Sequence, residues 1–213
     1  IFTLDKKRVF ELCQEFRKRN IIWRCWSRAD TITFELLKEM KMSGLVSITM
    51  GIESGDDIIL KSVDKGITRD LNKRALLWCK QLEIPVRCSL MYGNPGETRA
   101  TIQNTIDLIK ETQPNEWNLA ILTPIPGSAI WDTPEKFGIS FDKERIKKDN
   151  YQPTNRFGNS GIGDNWYEFT SMTPQEFQDN LNYFVSELER VCPRNNIQDT
   201  IQEIDINKVS FST

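Results

Sequence analysis

Residues 45–66 read LVSITMGIESGDDIILKSVDKG, and this stretch decides the fold. Its first part is a short apolar run of strand character, which breaks at Gly51 and Gly55 on either side of Glu53 and Ser54. Apolar residues then recur at a helical spacing. A strand that enters a helix through Gly-x-Glu-Ser-Gly brings two polar side chains to the carboxyl end of a sheet, where α/β proteins bind their ligands. We therefore predict Glu53 and Ser54 as site residues.

The two polar side chains offer different chemistry. A carboxylate directly after a buried strand needs a partner, because an unpaired buried charge is costly. Glu53 can accept hydrogen bonds from an amine or from sugar hydroxyls. Ser54 can donate to a carboxylate, or it can cap the following helix while Asp57 closes a weak capping box. The sequence leaves both interpretations of Ser54 open.

Length and charge bound the class of protein. The chain has 213 residues, a formal net charge of −2 and 38% hydrophobic residues, which suits one globular domain with or without a tail. The small net charge gives no support for binding to nucleic acid or to a membrane surface. No apolar run is long enough to span a bilayer. We expect a small-molecule substrate and no nucleic-acid partner. The start at Ile1 instead of a methionine predicts a fragment of a longer protein.

The cysteine and histidine counts exclude several kinds of site. No two cysteines form a C-x-x-C pair, and an odd number of scattered cysteines argues against a disulfide framework and for a reducing cytoplasm. The chain has no histidine, which removes Ser–His and Cys–His nucleophiles, imidazole catalysis and histidine zinc sites. The sequence does not identify a catalytic residue, and we predict no metal ligand within this chain. The five cysteines are Cys13, Cys25, Cys79, Cys88 and Cys192.

Strand and helix patterns alternate in about four repeats before residue 132. This order predicts parallel strands joined by helical crossovers. The fold class is therefore α/β: a parallel (β/α) partial TIM barrel with a C-terminal helical extension. Ile1–Thr3 resembles the end of a strand, which predicts that a missing N-terminal segment supplies at least two strands. The strand patterns fall at residues 21–26, 45–52, 84–91 and 117–125.

A change of character after residue 132 predicts a division of the chain into 1–132, part of the barrel, and 133–213, an extension. Within the extension, Thr173-Pro174-Gln175-Glu176 is a complete helix start, and an apolar stripe follows at helical spacing. We expect this helix, at about 173–191, to pack against the barrel because such a stripe is more often core than a partner surface. Residues 151–164 read as a loop, and residues 197–213 read as a polar tail.

Four segments at predicted strand ends together resemble the radical S-adenosylmethionine (SAM) enzymes. The likeness is to the branch with an N-terminal cobalamin-binding domain, and it covers about residues 1–132. It implies an incomplete radical SAM type barrel. The segments are Ser27-Arg28-Ala29-Asp30, Gly51-Ile52-Glu53-Ser54-Gly55 followed by Lys65-Gly66, Tyr92-Gly93-Asn94-Pro95-Gly96-Glu97-Thr98, and Pro124-Ile125-Pro126-Gly127-Ser128.

The resemblance also implies which residues contact SAM. Glu53 and Ser54 would touch the ribose or the methionine end, and Arg28 would meet the carboxylate or the ribose. The turn at 93–97 would lie beside the adenine, and residues 122–124 would line the same pocket. The implied contacts are Arg28, Glu53, Ser54, Gly93, Asn94, Pro95, Gly96, Glu97, Leu122 and Pro124.

One part of the family pattern is absent from this sequence. The C-x-x-x-C-x-x-C motif that holds the [4Fe–4S] cluster does not occur, and thiolates are required as cluster ligands. The resemblance therefore implies cluster ligands and a cobalamin domain outside this chain, with the missing N-terminal segment as partner. The full-length protein would be an enzyme that cleaves SAM to a 5′-deoxyadenosyl radical or transfers methyl groups, and the fragment alone would be inactive.

Two alternatives stay open. Within the same fold, the substrate could be tRNA or a porphyrin, and the net charge weakly disfavours tRNA. In a different class, the chain could be a non-catalytic α/β scaffold or partner-binding domain with a degenerate site. Three clustered cysteines encoded upstream would support the enzyme.

Overall fold

The chain folds as the alternating pattern predicts. The computed structural model describes residues 1–148, 167–169 and 172–193. The elements are α1 (Lys6–Lys18), β1 (Trp23–Ser27), α2 (Phe34–Met42), β2 (Leu45–Glu53), α3 (Asp57–Ser62), α4 (Arg69–Gln81), β3 (Val86–Tyr92), α5 (Arg99–Thr112), β4 (Glu116–Ile121), α6 (Ala129–Asp132), β5 (Ile139–Phe141), α7 (Lys143–Lys148), β6 (Tyr167–Phe169) and α8 (Pro174–Val191).

The first four strands form one parallel sheet in the order β1-β2-β3-β4. Trp26 lies opposite Thr49, and Arg87 lies opposite both Thr49 and Glu116 on its two sides. The predicted parallel pairing of residues 46–52 with residues 21–26 is confirmed. Consecutive strands are neighbours and each pair is joined through helices, which is the βα arrangement that puts all carboxyl ends on one edge. The α/β class is confirmed.

The two faces of the sheet differ in polarity, because successive strand residues point to opposite sides. On β2, Ile48, Met50 and Ile52 are fully buried and belong to a core shared with the helices. Thr49, which lies between the first two, and Glu53, which follows the last, are half-buried. The helices therefore cover the apolar face, and the polar face leads up to the strand ends.

The prediction for the first residues is wrong. Phe2–Leu4 forms a short 3-10 helix instead of the end of a strand. The buried Thr3 hydroxyl is hydrogen-bonded to the hydroxyls of Ser27 and Thr31, and the Phe2 ring lies 5.1 Å from the Trp23 ring. These contacts place the segment against β1 and the loop that follows it, and residues in a helical turn cannot pair as a strand.

Helix α8 packs on the sheet domain, as its apolar stripe predicts. Phe177 is 2% exposed and Leu181 and Leu188 are 0% exposed, so the prediction is confirmed. The Tyr92 hydroxyl at the end of β3 donates to the Phe177 carbonyl over 2.7 Å. Thr173 caps α8 with a reciprocal capping box, as the sequence indicated. The contact fixes one end of α8 against the strand that leads into the candidate site.

The remaining extension contains a two-stranded antiparallel pair of β5 and β6. The predicted loop at 151–164 and the polar tail at 197–213 lie outside the described residues. Among the helices that the structure describes, none is long and apolar enough to cross a membrane. The division of the chain after residue 132 stays a prediction.

Candidate functional site

An ion pair lies at the carboxyl end of β2. The Lys65 ammonium donates to Glu53 Oε1 over 2.7 Å, and the two side chains are only 16% and 18% exposed. The pair lies close over Gly51, where an added Cβ would meet Glu53 Oε1 at 2.7 Å and Lys65 Nζ at 3.0 Å. Partial burial strengthens such a pair relative to a fully solvated one. Glu53 is thus held by a cation at the strand end, where the sequence predicted a site.

Sequence reasoning missed Lys65 as a site residue. Lys65 follows Glu53 by 12 positions, after the short helix α3. The Lys-Gly dipeptide was part of the family-like segment, but nothing in the local pattern shows that α3 returns the chain to the strand end. The signal that could have found it is a lysine in the loop after the short helix that follows a strand-end carboxylate.

Arg28 joins this ion pair from the end of β1. Its guanidinium donates to both carboxylate oxygens of Asp30, over 3.0 and 2.9 Å, and to the Lys65 carbonyl over 2.7 Å. The hydrogen bond to Asp30 raises the pKa of Arg28, and that same bond lowers the pKa of Asp30. Two cations and two carboxylates therefore meet at the ends of β1 and β2. We call Arg28, Asp30, Glu53 and Lys65 the charged rim.

The Ser54 hydroxyl points to α5 and not to the charged rim. It is 0% exposed, its Oγ lies 3.1 Å from the Thr105 hydroxyl of α5, and it accepts from the Asp56 amide over 3.1 Å. The interpretation of Ser54 as the cap of α3 is wrong, and its contact with SAM stays a prediction. Asp56 caps α3 by accepting from the amides of Ile58 and Ile59. The Ser54 hydroxyl instead ties the turn after β2 to α5.

The turn after β3 is built around a buried carboxylate. Glu97 is 3% exposed, and its Oε2 accepts from the Gly93 amide over 2.6 Å and the Asn94 amide over 3.0 Å. Asn94 is fully buried and donates to the Met91 carbonyl over 3.1 Å. Gly93 and Gly96 take positive φ angles of 85° and 79°. The side chains of Asn94 and Glu97 therefore hold the turn from within, and Pro95 is buried while Gly96 is exposed.

Burial raises the pKa of Glu97 from 4.5 to about 7. The folded state then keeps a proton that the unfolded state releases, so the free energy of unfolding falls as the pH rises from about 4.5 to 7. We expect a loss of at most about 3 kcal/mol across this window. The chain has no histidine, so no imidazole titration overlaps it.

Urea unfolding at several pH values measures this slope. Glu97→Gln keeps the shape of the side chain and cannot ionise, so it should flatten the profile between pH 5 and 7. The exposed Glu11 of α1 offers a control, since Glu11→Gln should leave the profile unchanged. An unaltered slope in Glu97→Gln would show that another group carries it.

The exit of β4 lies beside the turn after β3. The Leu122 amide donates to the Tyr92 carbonyl over 2.8 Å, which continues the parallel pairing for one more residue. Leu122 is half-buried and Pro124 is buried. Adjacent strands lie roughly 4.8 Å apart, so the charged rim and this turn occupy successive positions along one edge. The structure thus brings the predicted site residues to a single edge of the sheet, with the Ser54 hydroxyl turned to α5.

The chain's residues do not fit an iron–sulfur cluster. Within the described ranges no three or more His, Cys, Asp or Glu side chains group so as to hold a metal ion. All five cysteines are free and buried. Burial raises the pKa of Cys25 and of Cys79 to about 12, which opposes the thiolate form that a cluster needs.

Comparison with known proteins identifies the fold. The family described as "Radical SAM superfamily" matches residues 2–109, just over half of the chain. An uncharacterized methyltransferase of Pyrococcus horikoshii is 32% identical over 133 residues, 62% of this chain and 29% of that protein. An anaerobic magnesium-protoporphyrin IX monomethyl ester cyclase of Rubrivivax gelatinosus is 29% identical over 133 residues, 61% of this chain and 24% of that protein. The chain therefore spans less than a third of the length of these curated relatives.

Solved structures agree on the architecture. The radical S-adenosylmethionine methyltransferase TsrM from Kitasatospora setae, with cobalamin and a [4Fe–4S] cluster bound, superposes with a TM-score of 0.64 at 15% identity, over 89% of this chain and 41% of that one. The radical SAM enzyme coproporphyrinogen III oxidase (HemN) from Escherichia coli gives 0.61 at 15% identity, over 88% of this chain and 38% of that one. The predicted partial barrel is confirmed.

Proposed function

Because the chain belongs to the radical SAM superfamily, whose members use SAM and a [4Fe–4S] cluster, we propose that it supplies the SAM-binding rim of a radical SAM barrel. The observation that carries this proposal is the charged rim. Arg28 and Lys65 are cations held against Asp30 and Glu53 at adjoining strand ends.

The charged rim matches the charges of the methionine end of SAM, which carries one ammonium and one carboxylate. Glu53 can accept from the ammonium or from ribose hydroxyls, and the guanidinium of Arg28 suits a carboxylate because it donates two parallel hydrogen bonds. The ammonium of Lys65 offers a second donor to the carboxylate. Binding would exchange the internal ion pairs for pairs with the ligand, so that no charge is left unpaired. The zwitterion fits the residues present.

The adenine fits the turn at 93–97. Gly96 is exposed and has no side chain, so the backbone can approach a flat ring closely. Leu122 offers apolar surface at the neighbouring strand exit, and the buried Pro124 follows it. In this proposal Glu97 and Asn94 act through the backbone of the turn, since their side chains are buried.

When bound, SAM supplies either radical chemistry after its reductive cleavage or a methyl group for transfer. The residues of this chain would bind and orient it, and the Glu53–Lys65 pair is largely shielded from solvent. Because the cysteines do not fit a cluster, its ligands belong in the proposal to a segment outside the chain, as does a cobalamin-binding domain. The chain alone would then be inactive. The name of one relative, the magnesium-protoporphyrin IX monomethyl ester cyclase, favours a small-molecule substrate.

The products of SAM distinguish the possibilities. The cluster-loaded enzyme of which we propose this chain is a part would be incubated anaerobically with SAM and a reductant, and the mixture separated by chromatography. 5′-Deoxyadenosine would indicate reductive cleavage, and S-adenosylhomocysteine would indicate methyl transfer. We expect neither product from the 213-residue chain alone. If the loaded enzyme also gave neither, the non-catalytic scaffold would replace the proposal.

A further inference from the structure

Asn72 holds the backbone on both sides of Glu53. It lies near the start of α4 and is 0% exposed. Its side-chain amide donates to the Ile52 carbonyl over 3.1 Å and to the Ser54 carbonyl over 3.3 Å. These are the carbonyls of the residues directly before and after Glu53. A single NH₂ group, with its two hydrogens, thus brackets one residue of the candidate site.

The bracketed residue has a strained backbone. Glu53 has a φ angle of 61°, in the left-handed region that side chains other than glycine rarely adopt. The Ser54 amide donates to the Ile52 carbonyl over 2.8 Å, so Ile52, Glu53 and Ser54 form a three-residue turn. Such a turn with a positive central φ is the rare and strained γ-turn. Strain of this kind persists only where the surroundings hold it.

The regular pairing of the sheet is interrupted just before Glu53. The register of β2 against β3 shifts between Gly51, which lies opposite Ser89, and Glu53, which lies opposite Leu90. Ile52 is therefore the extra residue of a bulge, and bulges re-aim the side chains that follow them. Beyond the bulge, Asn72 of α4 donates to the carbonyls on either side of Glu53, and the Gly55 amide donates to the Thr105 hydroxyl of α5.

We propose that Asn72 is a positioning residue, which holds the strained turn so that the Glu53 carboxylate points at Lys65 and the charged rim. This inference rests on the proposed function for its consequence, the binding of SAM, but its geometry stands without it. In the part of the chain that the structure describes, the Asn72 Oδ1 atom is buried without a hydrogen-bond partner. The hydrogen bonds of this side chain are therefore made by its NH₂ group and not by its carbonyl oxygen.

The strain can be tested without SAM, in a double-mutant cycle on the 213-residue chain. Glycine adopts positive φ freely, so Glu53→Gly removes the strain. In the Asn72→Ala background the turn has already relaxed, so Glu53→Gly relieves no strain there. The change in melting temperature on Glu53→Gly should therefore be more positive when Asn72 is present. We expect a coupling of about 2–6 °C. Each Glu53→Gly shift is measured against Glu53→Ala, which also lacks the Lys65 pair, so strictly additive shifts would overturn the proposal.

The consequence can be tested by titrating SAM into the cluster-loaded enzyme. Asn72→Ala should weaken binding about 5- to 50-fold although it contacts no ligand. Asn72→Asp, which keeps the size and removes the NH₂ donors, should do the same. Asn104→Ala is the matched control, since the amide of Asn104 donates over 2.7 Å to Asp56 in the same segment without touching the turn at Glu53. It should cost stability and leave the SAM affinity unchanged.

The outcomes separate the two proposals. If Glu53→Ala weakens SAM binding and both Asn72 variants bind normally, Asn72 is not a positioning residue while the proposed function stands. If Asn104→Ala weakens binding as much as Asn72→Ala, the effect is general loosening and the proposal is overturned. If no variant affects SAM but the thermal cycle shows coupling, Asn72 positions Glu53 and the proposed function fails.

Discussion

Replacing Gly55 with alanine is expected to prevent stable folding, or to lower the free energy of unfolding by roughly 3 kcal/mol or more, at the top of the range for overpacking. A Cβ at Gly55 would lie 2.6 Å from the Asn104 carbonyl oxygen and 2.7 Å from the Thr105 Cα. Both are backbone atoms of α5, and a helix backbone cannot move aside as a side chain can. The turn after β2 would have to lift away from α5, which would also break the Ser54–Thr105 hydrogen bond.

Gly51→Ala is the matched control for that substitution. Its added Cβ meets only the ends of the Glu53 and Lys65 side chains, at 2.7 and 3.0 Å, and these can rotate away. We expect the free energy of unfolding, measured in urea, to change by less than about 1 kcal/mol for Gly51→Ala. A Gly55→Ala protein with a midpoint close to the wild type would contradict the close packing of the turn on α5.

The sheet could be predicted from the sequence because its signals are local. Alternating and helical apolar spacings fix which segments are strands and helices, and the helix start predicted at Thr173 is found as the capping box of α8. The short crossovers then leave parallel pairing as the natural arrangement. The carboxyl ends of parallel strands share one edge, which is why Arg28 and Glu53 could be predicted to meet.

The roles of particular side chains could not be predicted, because distant residues decide them. Ser54 turns to Thr105, which follows it by 51 positions, and no local pattern indicates that hydrogen bond. Glu97 was predicted as a ligand contact. In the structure its carboxylate accepts hydrogen bonds from the amides of Gly93 and Asn94 in the turn that precedes it. Thr3 lies in a helical turn and not in a strand, and its hydroxyl is hydrogen-bonded to Ser27 and Thr31, which lie more than twenty positions away.

Alanine in place of Glu53 is expected to weaken SAM binding by about 1–3 kcal/mol, or roughly 5- to 150-fold, the cost of leaving polar partners unpaired. The same change should leave folding nearly intact, since the Glu53 side chain lies at the edge of the sheet and outside the core. Arg28→Ala should weaken binding in the same range, since it removes the bidentate donor of the charged rim. Glu11→Ala, on the exposed surface of α1, is the control.

Calorimetric titration of SAM into the cluster-loaded enzyme tests the charged rim most directly. The SAM-binding proposal predicts a higher dissociation constant for Glu53→Ala and for Arg28→Ala, with unchanged unfolding midpoints, and a wild-type constant for Glu11→Ala. Wild-type affinity in both rim variants would contradict the assignment of this edge of the sheet as the SAM site.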